Sequence, residues 1–70
     1  MSLLLKSSFG LTNAEARLAI ELARGSSLSQ AAEAFGVRYQ TARSQLRAVF
    51  AKTDTHRQSQ LAALLARLGG

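Results

Sequence analysis

No cysteine occurs among the 70 residues, so neither a disulfide framework nor a thiolate metal site is available. That absence fits a reducing compartment, and the expected location is the cytoplasm. Proline is also absent. There is no Asn-Gly or Asp-Gly hairpin turn and no alternating run of β-branched residues, which excludes an ordinary β fold and leaves an all-α chain. No apolar run approaches the ~18 residues that a membrane span needs, and Met1 to Leu5 is too short for a signal-peptide core. The four carboxylates and single histidine supply no nucleophile with a base and an orienting partner, and no glycine-rich loop cradles phosphate. An enzyme is not expected, and neither is a cofactor. His56 has no second ligand at metal-binding spacing, so no metal site is expected.

What is present is positive charge, unevenly placed. The net charge is +5. Up to Val37 the chain is balanced, with Lys6, Arg17 and Arg24 against Glu15, Glu21 and Glu33. From Arg38 onward Arg38, Arg43, Arg47, Lys52, Arg57 and Arg67 face only Asp54, so the whole excess lies in the second half. Clustering of this kind points to a polyanion partner rather than a uniformly solvated surface.

Helix boundaries are written locally. Residues 1–10, with Leu3, Leu4, Leu5 and Phe9, read as a linker tail whose apolar side chains pack on the edge of a domain spanning 11–68. Thr12-Asn13-Ala14-Glu15 has the form of a capping box and starts a first helix, with Leu18, Ile20, Leu22 and Ala23 as its buried stripe and Gly25 as its stop. Ser27-Leu28-Ser29-Gln30 is a second box. It starts a helix whose apolar positions Leu28, Ala31, Ala32 and Phe35 precede the stop at Gly36. Thr53-Asp54 form a later break, and Thr55-His56-Arg57-Gln58 reads as a third box opening a last helix to about Leu68. There Leu61, Leu64, Leu65 and Leu68 recur at i, i+3, i+4 and i+7. This stripe reads either as core packing or as the seam of a homodimer. Met1-Ser2-Leu3 and Gly69-Gly70 read as vector-derived ends.

The third helix, ending at Lys52, organises the rest. Ala42, Leu46, Val49 and Phe50 form its apolar face, and Tyr39, Gln40, Arg43, Ser44 and Arg47 form the opposite one. Arg43 and Arg47 stand four apart, one above the other, with Gln40 and Ser44 beside them. Such a face can hydrogen-bond base edges flanked by phosphates. Arg38 occupies the N-cap place where a hydroxyl is usual, which suits a phosphate contact better than helix stability. The helix N-terminus at Ser27 and Ser29 serves either as a cap alone or as a further phosphate site. Lys52 and Arg57 read as backbone contacts or as solvated charge, and Tyr39 either stacks on a ligand or packs over the preceding helix. A short helix, a glycine turn and a basic helix together make a helix-turn-helix, whose second helix enters the major groove.

In order, Leu11-Thr12-x-x-Glu15, Gly25 with Ala32 seven residues on, Phe35-Gly36-Val37, Thr41-Ala42-x-x-x-Leu46 and Val49-Phe50-x-Lys52 resemble the DNA-binding domain of LuxR-type (NarL- or GerE-type) transcription regulators. The resemblance runs from Leu11 to about Leu65. It implies a four-helix bundle with a wingless helix-turn-helix that binds double-stranded DNA, and a homodimer through the last helix by way of Leu61, Leu64, Leu65 and Leu68. For a transcription regulator it also implies RNA polymerase as a further partner. The family's base-contacting places fall on Arg43, Ser44 and Arg47. Its phosphate-contacting places fall on Gln40, Thr41, Gln45 and Lys52, with Ser29 beside them. Ala42, Ala31, Arg38 and Asp54-Thr55 depart from the family's usual residues. Two other readings stand beside this one: a helical protein-interaction module acting through the last helix, and a promoter-recognising domain of sigma-factor layout.

Overall fold

The computed structural model describes residues 2–69, with side chains described for residues 5–68; Met1 and Gly70 lie outside the described residues. Five helices follow one another: α1 (Ser2–Phe9), α2 (Asn13–Ala23), α3 (Leu28–Phe35), α4 (Tyr39–Thr53) and α5 (Gln58–Gly69). No strand occurs among the described residues. The four expected helices correspond to α2–α5, so the expected four-helix count is corrected by one. The opening segment, read as a tail, forms α1 and places Leu5 at 0% exposure in the core. The Cα radius of gyration of 10.8 Å matches the ~11 Å of a compact chain this long.

Two of the expected capping boxes are formed. The Thr12 N–H donates to Glu15 Oε1 at 2.9 Å while the Glu15 N–H donates to Thr12 Oγ1 at 3.1 Å. Ser27 and Gln30 repeat the exchange at 2.8 and 3.1 Å. α3 ends as expected at Gly36, whose φ of +66° is left-handed, with the Val37 N–H reaching back to the Ala32 carbonyl at 3.0 Å. The same closure ends α4 at Asp54, at φ +54°, where the Thr55 N–H bonds the Phe50 carbonyl at 3.0 Å.

The third box is not formed. Thr55 is buried, its hydroxyl 2.9 Å from that of Thr53, and cannot face a helix start. α5 begins only at Gln58, whose amide instead donates to the carbonyls of Leu22 at 3.0 Å and Ser26 at 3.1 Å, closing the end of α2. The side chain that reaches back is Gln60, accepting from the His56 N–H at 2.7 Å.

Two apolar clusters fill the interior. One joins Leu5, Leu11, Ala16, Ala19, Val49, Leu61 and Leu65; the other joins Leu18, Leu22 and Ala31, with Leu28, Phe35 and Leu46 packed against it. α2 packs against each of the other four helices. It therefore buries two faces rather than one. Ala16, Leu18, Ala19 and Leu22 are its buried apolar residues, and Ile20 and Ala23 from the expected stripe are only partly covered.

Between α4 and α5 the hydroxyl pair has a defined polarity. The single Thr53 proton goes to the Val49 carbonyl at 2.7 Å, so Thr55 must be the donor in the Thr53–Thr55 bond. Thr53→Val is therefore expected to strand a buried donor on Thr55 at a cost of about 1–3 kcal/mol, whereas Thr55→Val leaves the Thr53 bond intact and costs less. Urea unfolding of both single variants and the double variant checks this: the double variant should be no less stable than Thr53→Val alone. Equal losses in the two single variants would refute the assignment.

Candidate nucleic-acid interface

α3 and α4 pack against each other and are joined by a turn of three residues, Gly36–Arg38. α4 then runs for 15 residues with Arg38 as an N-cap lacking a side-chain cap bond. Its inner face is fixed by Ala42 and Val49, both at 0% exposure, with Leu46 in one cluster and Phe50 in the other. Arg38, Tyr39, Gln40, Thr41, Arg43, Ser44 and Arg47 are exposed, and Gln45 is half-buried. The helix thus brings the expected base-contacting residues Arg43, Ser44 and Arg47 onto one open face, with the two guanidinium-bearing positions one turn apart, about 6 Å along the axis. No carboxylate occurs between Glu33 and Asp54. Among the described residues none of Arg38, Arg43 and Arg47 enters an ion pair. Tyr39, read as packing or stacking, leaves half of its surface open. Ser29 is exposed in the first turn of α3, the cap itself being Ser27.

Lys52 departs from its expected place. Its Nζ lies 2.7 Å from Glu15 Oε1, the same oxygen that holds the Thr12 N–H. The ammonium expected to meet a phosphate is paired inside the protein, and ties the last turn of α4 to the first turn of α2. Burial pushes the Glu15 carboxyl upward, but the hydrogen bond from Lys52, the Thr12 backbone N–H and the positive charge together outweigh it and hold the group below the usual glutamate range. A lowered folded-state pKa adds stability that is present above the unfolded-state pKa and is lost as pH falls through the folded one. Glu15→Gln keeps an oxygen for Thr12 but drops the charge. It should cost about 1 kcal/mol at pH 7, the upper end for a pair whose lysine side chain is 37% exposed, and its deficit should be smaller at pH 3. Thermal melts at the two pH values check this, and a deficit independent of pH would show that the charge contributes nothing.

The expected dimer residues divide. Leu61 and Leu65, at 0% and 1% exposure, belong to the core and have no surface to offer a partner, which corrects half of that expectation. Leu64 and Leu68 are partly exposed, and Ala63, Ala66 and Arg67 are open on the outer side of α5.

One further feature was not legible in the residue pattern. A cavity of about 80 Å³ opens where α2, the Gly36–Arg38 turn and α4 meet, lined by Ala14, Arg17, Phe35, Val37 and Gln45. The Arg17 guanidinium lies 4.7 Å from the Phe35 ring centroid. Among the described residues no group of His, Cys, Asp and Glu is placed to hold a metal ion. Among the described residues no helix is long and apolar enough to cross a membrane. Comparison of the chain with protein-family models, with curated proteins and with solved structures finds no match.

Proposed function

We propose that the chain binds double-stranded DNA sequence-specifically as the DNA-binding part of a transcription regulator, with α3, the Gly36–Arg38 turn and α4 acting as a helix-turn-helix. α4, about 10–12 Å across with its side chains, enters a major groove about 12 Å wide. In that pose Arg43, Ser44 and Arg47 read base edges, while Arg38, Gln40, Thr41 and Ser29 meet the flanking phosphates. The observation that carries the reading is a helix held through its inner face in both apolar clusters while its outer face presents arginines that have no carboxylate partner among the described residues. Arginines held ready but unpaired favour a polyanion that also carries planar acceptor edges: the phosphates supply the charge, and guanine supplies the edge through O6 and N7.

The test is fluorescence anisotropy of a labelled mixed-sequence duplex over 50–200 mM salt. Each phosphate neutralised contributes about −0.9 to the log–log slope, so several contacts make affinity fall steeply. A folded chain that ignores the duplex at the lowest salt would remove this reading. It would leave the helical interaction module, favoured by the open Ala63, Ala66, Leu64 and Leu68 side of α5, as the account to pursue. A homodimer, if formed through α5, uses that same side.

A further inference from the structure

We propose that Arg17, on α2 and outside the helix-turn-helix, is a phosphate-binding residue that clamps the nucleic-acid backbone from the cavity beside α4. This inference rests on the DNA-binding reading and adds to it a contact that neither the charge distribution nor the residue pattern contains, because Arg17 lies in the electrically balanced half of the chain.

Three observations carry it. The first is orientation. The guanidinium is laid against the Phe35 ring at 4.7 Å, which holds the planar group in place while leaving its N–H edge free to donate. The second is the absence of an internal partner. Glu21, one helical turn further along α2, is turned to the Ser26 hydroxyl at 2.7 Å, and Glu15 is taken by Lys52 and Thr12. Among the described residues Arg17 enters no ion pair. The third is place. The cavity that Arg17 lines is shared with Gln45 of α4 and with Val37 in the turn, so the cation stands on the flank of the helix that would enter the groove. Ala14 and Val37 give the cavity apolar walls, in which a charge-assisted bond to a phosphate oxygen is less diluted by water than on an open helix face. Gln45 adds a neutral amide donor to the lining.

A structural role and a phosphate role differ in what they move. Arg17→Met keeps an unbranched stem over Phe35 and removes the charge; Arg17→Lys keeps the charge and loses the planar fork. Salt titrations of both, together with Lys6→Met as a charge on α1, away from α4 and from the outer side of α5, separate the possibilities. The expected result is that Arg17→Met lowers the magnitude of the log–log salt slope by about 0.9 for each bound copy of the chain, so that the 50-to-200 mM affinity ratio shrinks about 3.5-fold per copy. Arg17→Lys should keep the wild-type slope, Lys6→Met should not change it, and the thermal midpoint of Arg17→Met should stay near that of the parent. An unchanged slope in Arg17→Met, or equal drops in Arg17→Met and Lys6→Met, overturns the inference while leaving the DNA-binding reading in place. A parent protein with no salt-dependent duplex binding overturns both.

Discussion

Arg43→Ala/Arg47→Ala should weaken binding to a preferred duplex by about 30-fold to 10⁴-fold and leave the helical content and thermal midpoint of the free protein nearly unchanged. The range follows from about 1–3 kcal/mol of discrimination for each bidentate arginine–guanine contact, two contacts taken together. The stability half follows from exposure: both side chains are open to solvent and neither has an ion-pair partner among the described residues to lose. Because the two residues are neighbours one turn apart, the single variants need not add, and a full cycle measures their coupling. The decisive comparison is between cognate and mixed-sequence duplexes. Loss confined to the preferred site identifies base reading, and equal loss on both identifies phosphate contact only. A double variant that binds as the parent does would remove α4 from the interface.

Leu61→Ala and Leu65→Ala are expected to be the most damaging single truncations to the fold. Each removes a fully buried leucine from the cluster that joins α1, α2, α4 and α5, for which losses of about 2–5 kcal/mol are general. A domain of this length has only about 3.5–10 kcal/mol of stability in all, so either change should bring unfolding near ambient temperature. Leu64→Ala and Leu68→Ala, on partly exposed positions, should cost about 1 kcal/mol and lower self-association if α5 pairs two copies. Circular-dichroism melts with sedimentation equilibrium on all four variants separate the roles. Undiminished melting with lost self-association in Leu61→Ala and Leu65→Ala would place those two leucines at a seam rather than in the core.

Legibility followed the range of the interactions involved. Thr12 with Glu15 and Ser27 with Gln30 could be read because each box closes over three residues and needs nothing else. Thr55 with Gln58 has the same spelling and failed, because the Gln58 amide found the carbonyls of Leu22 in α2 and Ser26 just beyond it, 36 and 32 residues away, and Thr55 was drawn inside to Thr53. The two faces of α4 were legible from period alone. The division of the α5 leucines was not, since a stripe at i, i+3, i+4 and i+7 is wider than the surface that α2 covers. α1 carries no cap signal and few periodic positions. Its helix rests on the place of Leu5 beside Leu11, Ala16, Val49 and Leu61, an arrangement that exists only once the others have packed. Lys52, assigned outward by its charge, was claimed by a carboxylate 37 residues earlier.

The position of α2 and α4 in both apolar clusters bears on motion. α1 and α5 contribute to one cluster only and α3 to the other, so α1, α3 or α5 can fray alone, whereas opening α2 or α4 dismantles both clusters at once. Amide hydrogens in the middle of α2 and α4 should therefore exchange only through global unfolding, while those of α1 exchange earlier. A ligand landing on the outer face of α4 meets a surface already ordered. Its binding should carry only the heat-capacity change of the buried contact, without the added signature of a segment folding onto it.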